Sequence, residues 1–261
     1  MLLKPVNIDV LEYPSEICYL MQGARIYDSS CSPQAKVIFI DKDSGYFLKT
    51  AAKGSLEREA VMTKYFHKKG LSANVIEYIS GEKCDLLLTD KARGDDCTAT
   101  KYLEQPKLLC DTLAERLALL HAMDFADCPI QNHTEFLIAE AEKNKRHGLF
   151  DKDISDYWDC GDAEKAWTVA EKYSHLLKPD TLLHGDYCMP NIILDDWRFS
   201  GFIDLDFGGV GDRHVDMFWG IWSLWINLKT HKYRERFIDA YGRDKVDEDM
   251  LKIVAAVAVF G

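Results

Sequence analysis

Asp186, Asn191 and Asp204 lie close together in one Asp- and Gly-rich stretch, HGDYCMPNIILDDWRFSGFIDLDFGG. Side chains of these types ligate hard cations or take protons from hydroxyls. The apolar runs 192–194 and 201–203 flank Asp195, Asp196, Trp197 and Arg198, so the spacing predicts a strand, a turn and a strand running straight back. Residues just outside the paired runs of such a hairpin stand side by side at its open end, which places Asn191 beside Asp204. Asp186 lies five residues before Asn191. The group offers the oxygen ligands that Mg²⁺ takes at about 2.0–2.1 Å, with substrate phosphates commonly completing the shell. A polar turn would explain each piece alone; the joint spacing points to metal-assisted phosphate chemistry.

A second group lies nearer the N-terminus. In YFLKTA, side chains alternate across a strand, so Phe47 and Lys49 share one face while Tyr46 and Leu48 share the other. An aromatic ring followed by an ammonium suits a nucleotide, with the base against Phe47 and the phosphates toward Lys49. Glu59, ten residues beyond Lys49, falls on a predicted helix and can hold the lysine by an ion pair. A surface lysine with an unrelated glutamate is the competing reading. No G-x-x-x-x-G-K-[ST] occurs, which excludes a P-loop NTPase, and GGVG at 208–211 lacks the third spaced glycine of a dinucleotide fold. In YDSSCSPQ, Ser29, Ser30 and Ser32 offer hydroxyls and amides for covering phosphates, or form an ordinary loop.

The elements that must position these groups follow from the patterning. β-favouring runs begin at Ile17 (ICYLM), Lys36 (KVIFID), Tyr46 (YFLKTA), Asn74 (NVIEYI) and Asp85 (DLLLTD), with a turn at 42–45 joining the second and third as a hairpin. SLEREAVMTKYFHKKG predicts a helix capped by Ser55 and ended by Gly70. After KARGDDC the texture turns helical, LLCDTLAERLALLHAM most clearly, with an interruption from Thr181 through the Asp-rich stretch. The expected division is therefore 1–91 and 92–261.

At 261 residues, 47% hydrophobic and 29% charged, the chain is long enough for a sizeable core. Forty-three Asp and Glu against 32 Lys and Arg leave a net charge of −11, which repels a phosphate backbone and favours a cationic small molecule over nucleic acid. No apolar run reaches the roughly 18 residues of a membrane span, and MLLKPVNIDVLEY carries charges where a signal peptide would be apolar. The expected location is the cytoplasm, with no membrane partner. Eight cysteines show neither C-x-x-C spacing nor paired histidines nearby, and read as reduced, mostly buried thiols.

HGDYCMPNIIL and GFIDLDFGGVGDRHVD, preceded by LLHAMDFADCPI, resemble the aminoglycoside 3'-phosphotransferases, the kanamycin kinases of resistant bacteria. The resemblance covers nearly the whole chain and is strongest over 184–216. It implies an α+β, bilobal, protein-kinase-like fold with a small antiparallel-sheet lobe and a larger, mainly helical one. It also implies roles: Asp186 as the catalytic Asp, Asn191 and Asp204 as Mg²⁺ ligands, Lys49 on the α- and β-phosphates, and Glu59 anchoring Lys49. Phe47 matches the aromatic residue that stacks on adenine, and Ser32, before Pro33, the phosphate-loop serine. Thr89, Lys91 and Ala92 match the hinge that reads the adenine edge. Asp206-Phe207-Gly208 spells the metal motif of protein kinases. Asp204 is preferred because it directly follows the apolar run and because small-molecule kinases place their metal Asp there; Asp206 is left as a support or a second-metal ligand. His184 is expected to brace the loop.

Two departures stand out. The family typically ends in an acidic pair followed by an aromatic residue, whereas here Phe260 keeps the aromatic position and Val257 and Ala258 stand where acids are expected. The family's acidic position on the helix after the metal loop falls at Ile226. What remains is 151–164, DKDISDYWDCGDAE, with six acids against one lysine, read either as a lid over the acceptor or as a solvated charged loop. In it, Asp156 and Asp159 align with acids that contact aminoglycoside amines. The implied reaction moves the γ-phosphoryl of ATP, with GTP left open as donor, to a hydroxyl of a cationic small molecule, foremost an aminoglycoside 3'-hydroxyl. The competing readings are a related kinase with another acceptor and a silent nucleotide-binding fold; the presence of the Asp, Asn and Lys weighs against silence.

Overall fold

A computed structural model describes residues 3–261. In chain order the elements are β1 (Lys4–Pro5), α1 (Ser15–Met21), β2 (Arg25–Asp28), β3 (Ala35–Asp41), β4 (Tyr46–Ala52), α2 (Glu57–Lys68), β5 (Val75–Ser80), β6 (Cys84–Asp90) and β7 (Asp95–Asp96). There follow α3 (Thr100–Leu103), α4 (Pro106–His121), α5 (His133–Arg146), α6 (Lys152–Trp158), α7 (Ala163–Tyr173), β8 (Thr181–Leu183), β9 (Ile192–Asp195), β10 (Arg198–Phe202), β11 (Gly209–Gly211), α8 (His214–Leu228), α9 (Arg234–Tyr241) and α10 (Glu248–Ala258). Two compact units result: residues up to Ala99 with Ile192–Asp206, and Thr100–Asn191 with Phe207–Gly261. The β9–β10 hairpin thus joins the sheet-rich unit although it lies far along the chain.

In the first unit an antiparallel sheet runs β1-β2-β3-β4-β6-β5. Strand alternation sorts its residues: Ile38, Ile40, Leu48, Leu86 and Leu88 pack with Ile17, Leu20 and Met21 of α1. Leu87 packs on Leu56, Ala60 and Val75 under α2. The expected strand at Ile17 is a helix. Its buried residues Ile17, Leu20 and Met21 follow at three and four, and so short an apolar run is ambiguous between the two periods. RIYD, too short for a pattern, forms β2 and pairs with β3.

Gly70 ends α2 as expected, at φ +71°, with the Leu71 amide on the Phe66 carbonyl at 2.9 Å. Ser55 does not cap α2. Its hydroxyl bonds the Ala52 carbonyl at 2.6 Å, and the Leu56 amide at the helix start goes to the Asp85 carboxylate at 3.1 Å.

The predicted hairpin is present as β9 and β10, with Ile192 opposite Phe202. Its two turn residues, Asp196 and Trp197, have φ of +49° and +68°, as a two-residue hairpin with the twist of its strands requires. β7 adds a third strand to β9. Just before it Gly94 has φ +104°, and a Cβ there would overlap the Leu194 carbonyl.

The second unit is built round α8, whose residues from His214 to Leu224 are almost all buried, as suits a helix apolar on all sides. α4 presents Leu109, Leu113, Leu117 and Leu120 inward, the repeat read from the sequence, and begins with Pro106 in its first turn. β8 and β11 form a two-stranded ladder. Segment 151–164 is no loop: it forms α6 and the start of α7, with Asp151 and Asp162 accepting the capping amides of Ile154 and Lys165, each at 2.9 Å. All eight cysteines are free, three of them buried. Among the described residues no helix is long and apolar enough to cross a membrane.

Gly94→Ala should lower stability by more than about 2 kcal/mol, since a side chain meets both a positive φ and a backbone carbonyl. Urea unfolding followed by circular dichroism measures this; a midpoint equal to the parent's would show that the loop before β7 relaxes freely.

Candidate functional site

Lys49 is the centre of the first unit's polar residues. Its Nζ lies 2.7 Å from Glu59 Oε2 and 2.5 Å from Asp204 Oδ1. β4 delivers the lysine by alternation, α2 delivers Glu59 from its first turn, and the chain leaving β10 delivers Asp204 at φ +61°. Glu59 is buried, whereas the Asp204 side chain is 51% exposed. Burial pushes the Lys49 ammonium down, but the charges of Glu59 and then Asp204 outweigh it and hold the group above its ordinary value. Burial pushes Glu59 up to about 7; Lys49 draws it down, and Asp204 and Asp206 raise it further. Arg58 Nε donates to the Asp206 carbonyl at 2.6 Å, so α2 also fixes the backbone beyond Asp204.

The second unit holds the HGD turn. The His184 and Gly185 amides donate to the two oxygens of Asp216 at 2.8 and 2.7 Å. Asp216 is fully buried in α8 and also meets His121 Nε2 at 3.1 Å, while His121 Nδ1 meets the Tyr241 hydroxyl at 2.7 Å. Gly185 has φ +86°, and a Cβ there would overlap the Phe207 carbonyl, so this turn requires glycine. The Asp186 amide donates to His184 Nδ1 at 3.3 Å, in line with the bracing role expected of His184. Downstream, the Tyr187 hydroxyl donates to the Leu113 carbonyl and the Met189 amide to Ser223 Oγ, each at 2.8 Å. Asn191 Nδ2 donates to Asp186 Oδ2 at 2.8 Å and to its carbonyl at 3.1 Å. Burial first, then the Asp186 charge, pushes the Cys188 thiol well up, so it stays an S–H beside the carboxylate.

A profile of the phosphotransferase enzyme family matches residues 27–252. A protein of Lactococcus lactis subsp. lactis (strain IL1403), named "Probable aminoglycoside 3'-phosphotransferase", is 49% identical over 259 residues, 99% of each chain. The chain belongs to the aminoglycoside 3'-phosphotransferase family. An aminoglycoside 3'-phosphotransferase of Niallia circulans is 35% identical over 175 residues, 64% of each chain. A crystal structure of an aminoglycoside-3'-phosphotransferase of type VIII superposes with a TM-score of 0.77 at 23% identity, covering 96% of this chain and 95% of that one, and shows the shared fold.

In this phosphotransferase the remaining expected site residues fall as follows. Phe47 packs on Phe39 at 5.1 Å between ring centroids and pairs in register with Thr89. Beyond β6, the Lys91 amide donates to the Gly45 carbonyl at 3.0 Å, with Ala92 next in the chain. Ser32 is exposed, bridged to Ala35 in the loop between β2 and β3. Asp156 is exposed and paired with Lys152 at 2.5 Å; Asp159 is exposed at the left-handed end of α6, φ +55°. Phe260 is fully buried, its ring 5.9 Å from Phe150 and 5.7 Å from Trp167, so it packs the helical unit instead of presenting a face to a ligand. Val257 and Ala258 are buried, and Ile226 is exposed. Sequence spacing assigns no role to Asp216, His121 or Asp85. For Asp216 the available signal was an aspartate in the first turn of an otherwise apolar helix, which must find buried donors.

Burial pushes the Asp216 carboxyl up, but its bonds to His121 and to the His184 amide outweigh that and hold it below the ordinary value. A depressed carboxyl stabilises the fold fully above its unfolded value, about 3.9, and loses that contribution as pH falls through the folded value. Asp216→Asn should therefore cost at least about 2 kcal/mol at pH 7 and flatten the loss of stability below about pH 4. Urea midpoints from pH 2 to 7 test this, and an acid limb parallel to the parent's would contradict it.

Proposed function

We propose that this phosphotransferase moves the γ-phosphoryl of ATP to the 3'-hydroxyl of an aminoglycoside. The observation that carries the reading is the Asp186 carboxylate, oriented by Asn191 on a loop whose amides are pinned by a buried aspartate. Asp186 orients the acceptor hydroxyl and takes its proton; Lys49, held by Glu59, offsets charge on the α- and β-phosphates. Phe47 stacks on the base, Thr89, Lys91 and Ala92 supply hinge contacts, and Ser32 covers phosphate.

The residues present fit Mg²⁺. Asn191 spends its NH₂ on Asp186, which leaves its amide oxygen as a hard ligand, and the half-exposed Asp204 is a second. Asp204 and Asn191 would hold the ion, which when bound neutralises phosphate charge. The bond from Lys49 to Asp204 favours Asp204 over Asp206 as the ligand. On the acceptor side Asp159 is the stronger candidate for an amine, because Lys152 already engages Asp156.

Purified protein with ATP, Mg²⁺ and a panel of aminoglycosides should yield 3'-phosphorylated products, identified by ³¹P and proton NMR. ATP binding without product on any aminoglycoside at millimolar concentration would overturn the acceptor and leave a kinase for another small molecule. Asp186→Asn should lower kcat about 10² to 10⁴-fold with the KM for ATP nearly unchanged.

Titration calorimetry separates the two candidate metal aspartates: Asp204→Ala should abolish Mg²⁺-dependent nucleotide binding while Asp206→Ala weakens it less. The opposite ranking would reassign the ligand. Charge reversal at Asp159 should raise the aminoglycoside KM far more than that for ATP; equal effects on both would remove it from the acceptor site.

A further inference from the structure

Asp85 lies at the start of β6, fully buried, and among the described residues no cation is bonded to it. Its carboxylate instead accepts neutral donors. The Leu56 amide reaches Oδ2 at 3.1 Å, the Tyr78 hydroxyl reaches Oδ2 at 3.1 Å, and the Ser80 hydroxyl reaches Oδ1 at 2.7 Å. Burial pushes the carboxyl up, yet bonds from the Gly54 amide, Ser80, the Leu56 amide and Tyr78 together hold it below its ordinary value, so the group is a buried anion.

Gly54 and Leu56 belong to the short connection between β4 and α2. β4 carries Lys49 and α2 carries Glu59 in its first turn. Leu56 is the N-cap of α2 and makes no side-chain capping bond, so the orphan amide at the helix start is satisfied by an aspartate 29 residues further along the chain. Ser80 and Tyr78 tie the same carboxylate to β5, beside the Ser80–Asp85 pair of the β5–β6 ladder. A single anion thus sets where α2 begins relative to the sheet. Glu59, three residues beyond Leu56 on that helix, lies 2.7 Å from Lys49.

We propose that Asp85 is a positioning residue for phosphoryl transfer, acting through the start of α2 to hold Glu59 on Lys49. The inference rests on the reading of Lys49 as the phosphate contact.

A double-mutant cycle tests it on the full chain, with ATP and Mg²⁺ affinity measured by calorimetry and kcat and KM by turnover. Glu59→Gln should weaken ATP binding about tenfold, and Asp85→Asn should weaken it to a similar degree. The double variant should lie within about twofold of Glu59→Gln alone, because both changes release the same lysine. A purely structural role predicts independent losses that multiply, and that outcome, or unchanged affinity in Asp85→Asn, overturns the proposal. Should Asp85→Asn fail to fold, Tyr78→Phe removes one donor and leaves the anion in place. It should weaken ATP binding two- to threefold in the parent and not at all in the Glu59→Gln background; loss in both backgrounds overturns the proposal. Lys49→Ala is the separate control: if it leaves ATP affinity intact, the phosphate role of Lys49 fails, whatever the cycle shows.

Discussion

One ammonium shared by two carboxylates governs how the first unit is built. Lys49 comes from a strand, Glu59 from a helix and Asp204 from a hairpin more than 150 residues later, and the three meet within 2.7 Å of the same nitrogen. Two negative charges against one positive leave the group short of cation, and burial makes that shortage costly at Glu59, whose carboxyl rises to about 7. Under the proposed reading, a divalent ion beside the half-exposed Asp204 would relieve that shortage, and the enclosed Glu59 would keep Lys49 directed at phosphate. The ion pair therefore matters less as a source of stability, which buried pairs supply weakly, than as a way of fixing one charge in one place.

Buried aspartates that accept backbone amides recur in both units. Asp85 takes the Leu56 amide, Asp216 those of His184 and Gly185, and Asp212 those of Lys178 and His214. In each case burial alone would raise the carboxyl and the hydrogen bonds more than reverse it. The physical advantage is directional. A carboxylate offers two oxygens to several amides at once, so a loop that cannot pair in a ladder still has its donors satisfied. Loops fixed in this way hold a catalytic group to a narrow geometry, which is most of what phosphoryl transfer asks of a protein.

Much of this was legible in the sequence, for reasons tied to period. The β-favouring runs KVIFID, YFLKTA and DLLLTD marked β3, β4 and β6, the leucine repeat marked α4, and the runs on either side of 195–198 marked β9 and β10. Lys49 and Glu59 were readable because each element orients its residues by a fixed repeat. The errors lie where period is silent. ICYLM is too short to separate a helix from a strand, and Ser55 had the right type for a cap but lost the position to a carboxylate distant in sequence. The anchoring roles of Asp85 and Asp216 went unread for the same reason: among their partners are backbone amides 29 to 32 residues away, and every sequence has amides.

Segment 151–164 shows how composition misleads when structure spends its charges. Of the six acids in 151–164, Asp151 and Asp162 cap helices, Asp156 is bound to Lys152 and Glu164 lies 3.4 Å from Lys145. Capping consumes hydrogen-bonding capacity but not charge, because an amide donor leaves the carboxylate ionised, so Asp151 and Asp162 still contribute to the local field. Pairing with lysine does cancel charge. The segment is therefore less negative than its sequence suggests, and within it Asp153 and Asp159 remain outside those caps and pairs. Fields from exposed charges fade over about 8 Å at physiological ionic strength, so the net −11 can hasten the approach of a polycation without deciding how it sits. Orientation must come from short contacts. Under the proposed acceptor reading, hydrophobic residues at 226, 257 and 258 leave few acids for those contacts, and the shape of the surface beside them would carry a correspondingly larger part of the discrimination among acceptors.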